Sequence, residues 1–156
     1  MIEPLAMWAE YLPAALRAHA PRLRPVAPAD EPLAERLRRL GEYALLPTPP
    51  VLCVGDTPIM RGVPEAVYIE TGLLGERRRQ ALAAAETSAG HLAEMDANGV
   101  DVAVLLPTFA PFLVYDDGID AERSRAYAQA YNRWLRDLCA PAPARLWGAA
   151  LVSRHD

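Results

Sequence analysis

There is no lysine in this chain of 156 residues; all 16 basic side chains are arginine. That absence excludes every mechanism built on a lysine Schiff base, a carbamylated lysine or a P-loop lysine. Only nine residues are glycine, and none of them forms a glycine-rich phosphate loop. The two cysteines, Cys53 and Cys139, lie far apart and match no zinc spacing, so they read as buried apolar thiols of a cytosolic protein rather than a disulfide or a metal knuckle. No apolar run approaches the roughly 20 residues of a membrane span. No basic leader followed by an apolar core opens the sequence, so no secretory signal is read. A formal net charge of −4 argues against nucleic acid as a partner, and the one basic run, Arg77-Arg78-Arg79, suits a solvated helix face.

What is present is enough for a folded domain. With 52% hydrophobic and 23% charged residues, the composition is globular, and the length suits one domain. The last third is the most regular. Thr87 or Ser88 offers a helix-capping oxygen, Leu92 and Met95 follow at helical spacing, and Asn98-Gly99 is a left-handed stop. Val100 to Leu106 is then almost continuously apolar and β-branched, the pattern of a strand covered on both faces, and Pro107-Thr108 ends it. Asp120 is placed to cap a second helix whose Tyr127, Tyr131, Trp134 and Leu138 form one stripe; Pro141 and Pro143 stop it. Leu146 to Val152 is the next strand. Helix, strand, helix, strand is the repeating unit of a parallel α/β fold.

The first half is less regular. Residues 1–45 read as helical and interrupted by proline, with Leu5, Trp8 and Leu12 on one face and Asp30 as a second cap ahead of Leu33, Leu37 and Leu40. Residues 46–75 read as a loop and hairpin insertion: Val51 to Val54, a Gly55-Asp56-Thr57-Pro58 turn, then Ile59-Met60. Glu76 to Glu86 has helical composition and runs towards Gly90. Residues 76–156 carry the α/β segments.

Several of these motifs resemble one family. His91-Leu92-Ala93-Glu94-Met95-Asp96-Ala97-Asn98-Gly99-Val100-Asp101, the strand ending Pro107-Thr108, Ala130-Tyr131-Asn132-Arg133-Trp134-Leu135, and Pro143-Ala144-Arg145-Leu146-Trp147-Gly148 resemble, in order, the amidohydrolase-related family of aminocarboxymuconate-semialdehyde decarboxylase and resorcylate decarboxylase type. Ala144 stands where that family has an aspartate. Glu3-Pro4 and Trp8 are similar to the family's opening, in which an Asp-x-His stretch comes just before. The resemblance implies a (β/α)8 TIM barrel of which this chain is the N-terminal part, a single partial domain over 1–156. It implies hydrolysis or decarboxylation of a small molecule, with a divalent metal (zinc or manganese) in complete members. It also places the ligands outside this chain, on an opening that Met1 follows and on later strands.

On that reading no metal ligand and no catalytic residue is assigned here, and activity requires the rest of the barrel, from a complementing chain or a homo-oligomer. The alternative is a non-catalytic remnant that pairs with another chain. Residues just past barrel strands face the active site, which makes Thr108, Phe109 and His155 the candidate substrate-binding residues, with Ser153 and Arg154 beside them. Each also has a plain structural reading: a turn residue for Thr108, hydrophobic packing for Phe109 and Phe112, and a carboxylate at a helix N-terminus for Glu3. His19 and His91 are too scattered to add metal spacing.

Overall fold

The computed structural model describes residues 3–25, 28, 51–58, 80 and 83–155. These form a mixed α/β structure with two separate small sheets. The helix expected after Asp30 and most of the segments at 59–82 lie outside the described residues.

The chain enters at α1, Leu5–Tyr11, with Pro4 as its N-cap at φ −62° and ψ 137°. Trp8 and Leu12 are buried, as their spacing requires, and Met7 joins them. A 3-10 turn, Ala14–His19, follows. The helical reading of the opening segment then needs a correction. Arg22–Arg24 is a strand, β1, paired antiparallel with β2, Val51–Val54, so that Leu23 faces Leu52. No local pattern marks Arg22–Arg24 as extended; pairing with a distant segment decides it. β2 turns back through Gly55, at φ +58°, into β3, Thr57–Pro58. The hairpin is therefore as expected, with its return strand beginning two residues earlier.

α2, Ser88–Ala97, starts where the cap predicts: the Thr87 hydroxyl accepts a hydrogen bond from the Gly90 amide. It stops at Asn98, followed by Gly99 at φ +65°, a conformation that side chains with a Cβ rarely adopt. β4 is Ala103–Leu105, shorter than the apolar run that contains it. A helix the sequence pattern did not disclose, α3 (Ala110–Val114), follows with Pro111 in its first turn. α4 then runs from Ala121 to Cys139, and the Asp120 carboxylate accepts from the Arg123 amide at its start. β5 is Leu146–Gly148 and pairs in parallel with β4, Ala103 opposite Leu146, Val104 opposite Trp147 and Leu105 opposite Gly148.

α4 is the centre of the core. Tyr127, Tyr131, Trp134 and Leu138 are buried as their stripe predicts, and Ser124, Ala126, Ala128, Ala130 and Leu135 are buried too. The small residues extend the buried surface past one stripe, and that lets α1 and α3 pack against the same helix. Trp8 holds the junction, edge-on to both Phe109 (5.7 Å) and Tyr127 (5.9 Å).

The sheet of β4 and β5 departs from expectation in one respect. Among the described residues it is covered on one face only. Leu105 and Leu146 point inward and are buried, whereas Val102, Val104, Leu106 and Trp147 are 43%, 58%, 61% and 55% exposed. The strand is apolar on both sides, but α4 packs against only one of them.

Candidate functional site at the ends of β4 and β5

The C-terminal ends of β4 and β5 lie side by side because the strands are parallel and in register. The segment after β4 carries Thr108 and Phe109; the segment after β5 carries Ser153, Arg154 and His155.

The first of these segments is organised by Glu3. Its carboxylate is fully buried. It accepts hydrogen bonds from three successive backbone amides, Thr108 at 2.8 Å, Phe109 at 3.1 Å and Ala110 at 3.2 Å. These are the donors that a helix N-terminus leaves without intrahelical partners. A carboxylate there is favoured by hydrogen bonding and by the peptide dipoles together. The sequence suggested that Glu3 suits a helix N-terminus. The structure shows that the helix is α3, more than 100 residues away, and not α1 beside it. One side chain thus pins the start of the chain to the loop after β4.

Phe109 is a core residue, its ring buried against Trp8, so it is not an open pocket wall. Thr108 is exposed beside it.

The second segment is organised by two residues of α4. The Ser124 hydroxyl, fully buried, donates to the Val114 carbonyl at 2.8 Å and lies 2.8 Å from the Ser153 hydroxyl. With its own proton so committed, Ser124 receives the proton of Ser153. Ser153 in turn accepts from the His155 amide at 3.3 Å. Ser153 is therefore a structural connector rather than an exposed nucleophile. Asn132 makes a two-pronged contact: its amide donates to the Leu151 carbonyl at 2.8 Å and its oxygen accepts from the Leu151 amide at 2.8 Å. A side chain here does for Leu151 what a neighbouring strand would do. Replacing Asn132 by alanine is expected to cost about 1–3 kcal/mol, the penalty for leaving partly buried amide and carbonyl groups unpaired. Chemical denaturation of the variant beside the parent checks it. Asn132 and Ser124 were missed as site-shaping residues, because on a helical wheel they read only as polar positions.

His155 lies half-buried, with its Nε2 buried and unpaired. Arg154 reaches away from it, bonding the Tyr115 carbonyl at 2.9 Å and pairing with Asp117, its guanidinium 5.9 Å from the Tyr115 ring centre. That contact ties the end of β5 to the loop between α3 and α4. His19 and His91 are elsewhere: the His19 carbonyl accepts from the Tyr127 hydroxyl at 2.8 Å, and His91 sits on α2, where burial holds its pKa below the ordinary value. Among the described residues no group of three or more His, Cys, Asp or Glu side chains could hold a metal ion.

A cleft of about 100 Å³ opens between the hairpin, α3 and α4, lined by Val54, Leu113, Asp116, Ile119, Arg123 and Tyr127. Its polar groups are already engaged: Asp116 accepts from the Gly118 amide, and Arg123 pairs with Asp120 at 2.7 Å.

The two tyrosines of α4 carry the clearest electrostatic signature. Burial pushes the Tyr127 phenol up to about 12. Tyr131 is raised as well, first by burial and then by the negative charge of Glu3. Both hydroxyls stay protonated in the fold at a pH where an unfolded tyrosine ionises, near 10. Their contribution to stability is therefore complete below pH 10 and is lost as the pH rises towards 12. Denaturant midpoints measured from pH 8 to 12 should fall across that window, and Tyr127→Phe should flatten the fall.

No protein-family model matches this chain, and no curated protein matches it. Among the described residues no helix is long and apolar enough to cross a membrane.

Proposed function

We propose that this chain is the N-terminal part of an amidohydrolase-related (β/α)8 barrel, a metal-dependent hydrolase or carboxy-lyase acting on a small molecule, and that it works only together with the remaining strands. The observation that carries this reading is the placement of the opening Glu3-Pro4 segment by the Glu3 carboxylate at the C-terminal end of β4. Barrels of this class build their sites on that face from several strand ends. The parallel pairing of β4 and β5, with α3 and α4 forming the connection between them, supports it as well.

In this reading Thr108 and His155 stand on the substrate side, Glu3 and Asn132 position the segments that carry them, and Phe109 packs beneath. The described residues do not themselves fit a divalent metal, so no chemical step is assigned through one. The ligands belong to polypeptide that completes the barrel. The exposed faces of Val104 and Trp147 would then form part of its inner wall.

The same bare face favours a second reading, a non-catalytic module that pairs with another chain. The coding DNA on both sides of the reading frame separates the two. Restored in-frame sequence encoding an Asp-x-His just ahead of Met1, with further strands downstream or in an adjacent gene, is the expected result. Stop codons on both sides and no neighbouring complement would leave only the interaction module.

A further inference from the structure

We draw no further inference here: the strongest candidate, the cleft between the β2–β3 hairpin, α3 and α4, carries nothing because its charged side chains and its tyrosine hydroxyl already bond within the protein, Asp116 to the Gly118 amide, Arg123 to Asp120 and Tyr127 to the His19 carbonyl, and no buried polar side-chain atom that lines it is left unpaired to point to a ligand.

Discussion

Replacing Glu3 by alanine should lower the folding stability by about 3 kcal/mol or more, a large share of the roughly 5–15 kcal/mol that holds a domain of this size together. The reason is the number of groups left behind. Thr108, Phe109 and Ala110 each present a backbone amide to this one carboxylate. Removing it strands two buried donors, those of Phe109 and Ala110, and a part-buried one, that of Thr108, and a buried unpaired donor costs about 1–3 kcal/mol. Glu3→Gln keeps the volume and one acceptor oxygen but turns an amino group toward donors, so its cost should lie between wild type and alanine. Urea unfolding followed by far-ultraviolet circular dichroism gives the size of the effect. Amide hydrogen exchange gives its location: protection should be lost first at residues 108–110. Both variants within about 0.5 kcal/mol of wild type, the range of an ordinary surface substitution, would show that Glu3 does not hold the loop after β4.

The second large effect is expected at Gly148. A Cβ placed there would lie 2.5 Å from both Cγ and Cδ2 of Leu135. That separation is well inside contact distance, and Leu135 is itself buried on α4 with little room to give. Gly148→Ala should therefore destabilise by about 1–3 kcal/mol through overpacking between helix and sheet. A double-mutant cycle makes the cause specific. Leu135→Ala alone should cost about 2–4 kcal/mol by leaving a cavity. Combined with it, Gly148→Ala should add almost nothing, because the clash has been removed. Additive costs would mean that Gly148 is required for another reason.

Both residues show where the sequence stops being readable. Gly148 lies within the apolar run Leu146 to Val152, but that it admits Leu135 depends on how close α4 comes to β5. Glu3 could be assigned to a helix N-terminus from its type and position, but nothing local distinguishes α1 from α3. The features that were legible depend on short-range geometry. Thr87 and Asp120 cap the helices they precede. Gly99 ends α2 in the left-handed region. The Tyr127–Leu138 stripe is buried because a helix of period 3.6 places those side chains together.

What was not legible depends on pairing or on coverage. β1 at Arg22–Arg24 exists because β2 lies beside it. The strand over Val100 to Leu106 contracts to Ala103–Leu105 because only those residues find partners in β5. The candidate site shows the same division. Thr108, Phe109 and His155 were located from the rule that strand ends face a site, yet the rule does not say which side chains point out. Phe109 turned inward to meet Trp8, and Asn132 and Ser124 emerged as the groups that shape the segment after β5.

Whether these 156 residues hold a divalent ion by themselves decides the proposal. Zinc and manganese should be titrated by calorimetry into the 156-residue chain, and into a chain extended by whatever in-frame coding sequence flanks it. No tight stoichiometric site is expected in the former, and one divalent ion per chain in the latter. A tight one-to-one site in the 156 residues alone would overturn the proposed partial barrel.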